Sequence, residues 1–284
     1  MLHEHKGDSS GGLFRLRMAG VADAFPEPSD LIHIIWNRSD EAAELEIDGY
    51  RLELAGHAIT TITYLHMVRV VSATEQLTVF SFNRDYYCIR DHDSEVSCNG
   101  LIFFGARNPP VINLDENDTE KLELLLRVFL HEFQEDDRLR GEMLLLLLKR
   151  LIIICTRLAR NQTGLAAVPP GDVDLYRRFH YLVEQHFREV KTVAAYSEML
   201  GRSAKTLANL FRDLKKPTPL RIIHDRITLE ARRLLLYSEK SVLEISEELG
   251  FEEPAPFFKL FKKCTGVSPK KFRETEKKIA LREV

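Results

Sequence analysis

The amino-acid sequence predicts an α+β protein: a β-barrel or β-sandwich with a helical hairpin, followed by an all-α part built from two similar helix pairs. Three observations predict this. Short β-type runs separated by turns fill residues 13 to 113, apolar residues then recur at helical spacing, and a segment beginning at Ser197 returns at Ser246.

The β-type runs are Leu31–Trp36, Leu45–Ile47, Tyr50–Leu54, Ala58–Leu65, Thr78–Phe82 and Gly100–Phe104, with Asp48-Gly49, Ala55-Gly56 and Asn99-Gly100 as turns. Many short strands at such spacing suit a sandwich or barrel. Ahead of them, MLHEHKGDSSGG is polar; it has no secretion-signal pattern and reads as a disordered tail.

After residue 113 the period changes. Leu122, Leu125, Leu126, Phe129, Leu130 and Phe133 recur at three and four, which makes one helix face apolar. A second helix, Leu139 to Leu158, is apolar on most of its circumference and needs cover on two sides. The strand region supplies one. The other is either the rest of the hairpin or, the preferred reading, a second copy of the chain, which makes residues 119–160 a homodimer surface. Its apolar runs Leu144–Leu148 and Leu151–Cys155 are broken by Lys149-Arg150 and are too short to span a bilayer.

Residues Asn161 to Gly171 have linker composition, and Pro169-Pro170-Gly171 is expected to stop any helix. Domains are therefore expected at 1–164 and 174–284, joined by a linker at 165–173. The net charge of −3 conceals an asymmetry across this boundary. Residues 1–164 hold 17 Lys and Arg against 26 Asp and Glu, a net −9; residues 165–284 hold 23 against 17, a net +6. An acidic half joined to a basic half suits a regulatory domain attached to one that binds a polyanion. Cys88, Cys98, Cys155 and Cys264 form no CxxC pair and fit a reducing compartment, so a soluble cytoplasmic protein is expected.

The repeat carries the functional expectation. Ser197-Glu-Met-Leu-Gly201 matches Ser246-Glu-Glu-Leu-Gly250 at an offset of 49, and after one extra residue Leu210-Phe211-Arg212 matches Leu260-Phe261-Lys262 at 50. Pro219 and Pro269 keep that second offset. Each copy is a short helix, a turn with Gly where the chain leaves that helix, and a second helix with basic residues outward. Val193, Leu200, Leu207 and Leu210 are the expected core of the first copy; Val242, Ile245, Leu249, Phe257 and Phe261 that of the second. This is the pattern of a helix-turn-helix, whose second helix enters a DNA major groove. Between the copies, Leu220–Tyr237 reads as a spacer helix about 27 Å long at 1.5 Å per residue. That length can set two recognition helices about one DNA turn apart, so that one chain reads two successive major grooves.

Glu230-Ala-Arg-Arg-Leu-Leu-Leu236, Ile245-Ser-Glu-Glu-Leu-Gly-Phe251, Phe257-Phe-Lys-Leu-Phe-Lys-Lys263 and Thr265-Gly-Val-Ser-Pro269 with Lys271-Phe-Arg273 resemble the AraC/XylS-type transcription regulators. The resemblance covers about residues 174–273 and departs at Ser197 and Ser246, where that family commonly has Ala. It implies bacterial transcription regulation, as an activator in contact with RNA polymerase or otherwise. By architecture and order alone, it also implies a cupin-like first domain for sensing and dimerisation, with a possible small-molecule effector.

The family pattern places the groove-facing residues of the first recognition helix, starting near Ser203, on Lys205, Thr206, Ala208 and Asn209. Lys donates to guanine, Asn pairs bidentately with adenine, and Thr meets a base or methyl group. Arg212 and Lys215 suit phosphates, which give affinity rather than sequence choice. In the second helix the positions fall on Pro254, Ala255, Pro256, Phe258 and Lys259, with Lys262 and Lys263 toward phosphates. Prolines fit a first helical turn but offer bases few hydrogen bonds. The first unit is therefore expected to read sequence and the second to anchor.

No catalytic residue, metal or cofactor is assigned. The strand region offers only scattered His33, His57 and His66, and the HxH of His3 and His5 lies in the polar tail. No P-loop, dinucleotide fingerprint or nucleophile elbow occurs. An enzyme with a DNA-binding tail is the competing expectation, which stoichiometric bound metal would favour. Trp36, Tyr64, His66, Phe80 and Phe82 are effector-pocket candidates by residue type only; packing in an ordinary core is the preferred reading of each, and no effector-binding residue is assigned.

Overall fold

A computed structural model describes residues 1–7, 11–18, 30–48, 50–64, 66, 68–73, 76–89, 101–103, 109–163, 165 and 168–280. Two compact units result, one formed by Met1–Phe103 and Asn108–Ala167, the other containing Val168–Val284.

The first unit holds β1 (Leu2–Lys6), β2 (Leu13–Met18), β3 (Ile32–Asn37), β4 (Ala43–Ile47), β5 (Tyr50–Leu54), β6 (Ala58–Ile62), β7 (Val68–Ser72), β8 (Leu77–Phe82) and β9 (Val111–Asn113). They form a six-stranded sheet, β1-β2-β8-β3-β6-β9, and a three-stranded one, β5-β4-β7, with antiparallel pairing throughout. Side chains alternate along each strand. Ile35, Ala58, Ile62, Leu77 and Val79 of the large sheet join Ala43, Leu45, Ile47, Leu54 and Val68 of the small sheet in one buried cluster. The opposite face of the large sheet meets α1 (Glu116–Glu132), where Phe129 lies 5.6 Å from Phe14 and 5.2 Å from Phe80. Arg38 also grips Glu123 of α1 through two 2.7 Å hydrogen bonds.

α2 (Arg140–Gln162) buries Leu144, Leu147, Leu148, Leu151, Ile152 and Cys155 but leaves Leu139, Met143 and Leu146 exposed at its start. No described helix is long and apolar enough to cross a membrane.

Three expectations need correction. His3 and His5 are not in a disordered tail: they stand on β1, paired with β2, their rings 5.2 Å from Phe133 and 5.9 Å from Tyr86. The polar composition concealed a period of two that half-buries both histidines. Pro169-Pro170-Gly171 does not stop a helix but starts one, α3 (Pro170–His186), so the expected linker is helical from Pro170. Proline suits that first turn because its missing N–H would have no partner there. Within Gly100–Phe104, the described Leu101–Phe103 form a turn and a single bridge, not a strand. Residues 100, 104 and Leu65 lie outside the described residues, as does Cys98. In keeping with the core-packing reading, Trp36, Phe80 and Phe82 are buried, on the sheet face that Phe80 turns to α1, opposite the cluster between the sheets. Three of the five aromatic candidates therefore do not point into a barrel interior.

The second unit continues from α3 with α4 (Val193–Met199), α5 (Ala204–Asp213), α6 (Pro219–Tyr237), α7 (Val242–Glu248), α8 (Pro254–Thr265) and α9 (Pro269–Ala280). The central α6 touches α3, α5, α7, α8 and α9. Its buried stripe includes Ile222, Ile223, Ile227, Ala231, Leu234 and Leu235.

Candidate nucleic-acid interface

The two helix pairs, α4–α5 and α7–α8, are built alike. Each first helix is capped by a hydroxyl, Thr192 for α4 and Ser241 for α7, the latter in a reciprocal capping box with Glu244. Each ends in a left-handed glycine, Gly201 at φ 63° and Gly250 at φ 72°. The same closing hydrogen bonds follow: Gly201 N–H to Glu198 O and Arg202 N–H to Ser197 O, Gly250 N–H to Glu247 O and Phe251 N–H to Ser246 O. Ser197 and Ser246 are buried at these turns, and Ser197 donates to the Val193 carbonyl at 2.8 Å. Ser246 Oγ, by contrast, is buried with no hydrogen-bond partner among the described residues.

α5 begins at Ser203, whose Oγ accepts from Thr206 N–H at 3.0 Å and lies 2.8 Å from Thr206 Oγ1. Leu207, Leu210 and Phe211 are buried, while Lys205, Thr206, Ala208 and Arg212 are exposed and Asn209 is half-buried. The exposed side chains follow helical spacing, so they share one face. Lys215 is exposed beyond the helix at φ 54°.

α8 begins with Pro254 at its first position, and its N-cap Glu253 makes no side-chain cap. Phe257, Phe261 and Cys264 are buried; Ala255, Pro256, Lys259, Lys262 and Lys263 are exposed and Pro254 is half-buried. Phe258 is 41% exposed, so packing on Phe257 at 5.9 Å covers only part of its ring. The outer face of α8 therefore combines an apolar first turn with three lysines, whereas that of α5 carries hydroxyl, amide and basic groups. Val193 and Val242 are only half-buried; the other expected core residues of both pairs are buried.

Sequence reasoning missed the groups that hold the pairs in place. Arg226 of α6 donates to both carboxylate oxygens of Glu184 on α3, at 2.6 and 3.1 Å, and to Glu230 at 3.3 Å. Glu230, 1% exposed, also accepts from Arg188 at 2.8 Å and Arg233 at 2.9 Å. Burial alone would raise its pKa, but Arg226, Arg233 and Arg188 outweigh that and hold it below the ordinary carboxylate value. The available signal was Arg226 and Glu230 standing four apart among the apolar residues of α6. Arg273, in the closing motif, donates to the Leu235 carbonyl at 3.0 Å and to the Lys240 carbonyl at 2.6 Å, which caps the end of α6.

His180 of α3 was also missed. It is 1% exposed, with its ring 4.5 Å from Tyr176 and 6.0 Å from Phe211 of α5. Neither ring nitrogen has a hydrogen-bond partner among the described residues. Burial, aided by Lys216, lowers its pKa from 6.5 to about 3. The unfolded chain then takes up a proton that the folded one refuses, so stability is full above pH 6.5 and falls between 6.5 and 3. At about 1.4 kcal/mol per pH unit, lowering the pH to 5 should cost about 2 kcal/mol. Thermal melts from pH 7.5 to 5 should show this slope, and His180→Phe should flatten it; an unchanged slope would assign it to other groups, buried His33 first.

In the first unit, His33 shares a 2.8 Å hydrogen bond with Ser81, His57 meets Asp40 and His66 meets Asp48, both at 2.9 Å. Among the described residues, no three His, Cys, Asp or Glu side chains are grouped so as to hold a metal ion.

A helix-turn-helix domain family matches residues 196–275. The probable transcription factor PqrA of Proteus vulgaris is 35% identical over 86 residues, covering 30% of this chain and 68% of that protein. The transcriptional activator RhaS of Escherichia fergusonii is 30% identical over 107 residues, 37% of this chain and 38% of that one. The arabinose operon regulatory protein of Salmonella typhimurium is 29% identical over 93 residues, 33% of this chain and 32% of that one. The chain thus spans a third to two fifths of the length of these two relatives. Among solved structures, the DNA-binding domain of AdpA with a target DNA is 28% identical, covering 34% of this chain and 88% of that one, TM-score 0.32. ToxT from Vibrio cholerae is 13% identical over 96% of each chain, TM-score 0.42.

Proposed function

The chain belongs to the AraC/XylS-type family of helix-turn-helix transcription regulators, and from that premise we propose that it binds DNA sequence-specifically and reads two successive major grooves. One observation carries the reading: two helix pairs with the same caps, turn hydrogen bonds and left-handed glycines each expose the outer face of a second helix. The +6 charge of residues 165–284 supports it, since cationic side chains neutralise phosphates.

The two units do different work in this reading. Lys205, Thr206, Ala208 and Asn209 face base edges, with Ser203 capping α5 and Arg212 on the phosphates. Pro254, Ala255, Pro256 and Phe258 meet the second groove by shape and apolar contact, while Lys259, Lys262 and Lys263 anchor to phosphate. Selection of binding sites from a randomised pool tests this. Asn209→Ala should change the preferred bases at one position, costing about 1–3 kcal/mol there. Lys259→Ala should leave the preferred sequence unchanged, weaken binding uniformly and reduce the salt slope by about one. The reverse ranking would overturn the division of labour.

Residues 1–164 are the sensor and dimerisation domain, of cupin-like type, and 174–284 the DNA-binding domain. The two packed antiparallel sheets fit a cupin-like build. Exposed Leu124 and Val128 of α1, with Leu139, Met143 and Leu146 at the start of α2, support a homodimer surface within residues 119–160. A small-molecule effector bound within residues 1–164, and RNA polymerase as the partner in activation, complete the reading. It places the protein in the bacterial cytoplasm with its DNA, as a regulator rather than an enzyme.

A further inference from the structure

We propose that the segment between α3 and α4 is a key that locks the two helix-turn-helix units at one fixed separation, with Arg188 and Lys191 as positioning residues. The proposal rests on the two-groove reading above. Three observations converge on this segment. First, a Cβ added at Gly250, in the turn of the second unit, would fall inside the Arg188 carbonyl oxygen and 2.9 Å from Lys191 Nζ. The turn of the second unit is thus seated directly against the strand of chain that leads into the first. Secondly, Lys191 Nζ donates to that same carbonyl at 2.7 Å and stands 4.9 Å from the Phe251 ring centroid. One ammonium therefore clasps the backbone before α4 to the aromatic residue after Gly250. Thirdly, the Arg188 guanidinium runs back to Glu230 at 2.8 Å, and so into the Glu184–Arg226–Glu230 cluster that ties α3 to α6.

α6 packs against α3 and α5 on one side and α7, α8 and α9 on the other. The key adds a direct connection between the two units that does not run through α6, so a change in their separation has to break it as well. A pre-organised pair of binding modules gains affinity because the second docks without a further loss of orientational freedom. It also becomes intolerant of a changed spacing between its two sites.

The test uses the full chain and a duplex that it selects from a randomised pool. Two derivatives are compared with it: one retaining only the first box, and one with five base pairs inserted between the boxes, half of the roughly 10-bp turn. Wild type should bind the selected duplex about 100-fold tighter than the one-box duplex, and the insertion should remove that advantage. Arg188→Met and Lys191→Met, at side chains that are not fully buried, should keep the one-box affinity. They should lose about 10-fold or more of the two-box advantage and suffer correspondingly less from the insertion. Thermal melting identifies any variant that has lost its fold, and Glu230→Gln, which removes the charge but keeps one accepting oxygen, weakens the same chain of contacts at a third point. Retention of the full two-box advantage by all folded variants would overturn the proposal. So would equal weakening on every duplex with a shallower salt slope, which would make Arg188 and Lys191 phosphate contacts. Failure of wild type to select any duplex would instead overturn the DNA-binding reading itself.

Discussion

Gly250→Ala is expected to unfold the second unit at temperatures where wild type is native, whereas Gly201→Ala should be tolerated. Both glycines have positive φ, 72° and 63°, a conformation that costs an L-residue about 1–2 kcal/mol. For Gly201 the cost ends there, since an added Cβ would meet nothing within 4 Å. At Gly250 the methyl would collide with the Arg188 carbonyl oxygen, a backbone atom that cannot rotate away. Overpacking adds about 1–3 kcal/mol, giving about 2–5 in all. Domains are stable by about 5–15 kcal/mol, so at the middle of both ranges the change removes about a third of the margin. Trp36 is the only tryptophan in the chain and lies on β3, so its fluorescence reports the first unit alone. Far-ultraviolet circular dichroism should show early loss of helix in Gly250→Ala while Trp36 fluorescence holds. Equal melting of the two alanine variants would mean that the Arg188 carbonyl moves aside at little cost.

That pair of glycines also marks how far the sequence could be read. The repeat identifies both as left-handed helix ends, because motif spacing encodes local backbone geometry. Nothing in the spacing shows that a carbonyl from residue 188 lies against one and not the other; that contact is tertiary. The same division runs through the chain. Leu207 and Leu210 give the inner face of α5, and hence its outer one, from periodicity alone, while the buried Phe211 beside them was not in the expected core. The strands β3, β4, β5, β6 and β8 were legible from alternation and turns. β1 was not, because its half-buried positions are histidines rather than apolar residues. Trp36, Phe80 and Phe82 were legible as strand aromatics, but both faces of their sheet are buried, so residue type could not say which face they occupy. His180 was unreadable for a related reason: a histidine on an apolar stripe looks like any boundary residue until both its nitrogens are found without partners. Arg188, Glu184 and Glu230 lie up to 46 residues apart, and no local pattern joins them.

The largest single loss should come from that last group. Glu230→Ala removes the carboxylate on which Arg188, Arg226 and Arg233 converge, and Arg226 is itself buried. Glu184 can neutralise Arg226, but the donor aimed at Glu230 is left facing the space the side chain vacated. Breaking a buried pair by removing one partner costs about 3–5 kcal/mol, because the remaining charge is desolvated without compensation. Glu230→Gln keeps the shape and one accepting oxygen, so it should cost less than the alanine change. The sign of the pH dependence follows from the lowered pKa of Glu230. Its stabilising contribution is present above the unfolded-state value near 4.5 and is lost as the pH falls through the lower folded-state value. Below pH 4 the gap between wild type and Glu230→Ala should therefore narrow, although His180 lowers the stability of both. Urea titrations of wild type, Glu230→Gln and Glu230→Ala at pH 7 and at pH 3 measure each term. A cost below about 1 kcal/mol at pH 7, the scale of an exposed ion pair, would show that solvent reaches the cluster and that apolar packing, not these charges, holds α3 to α6.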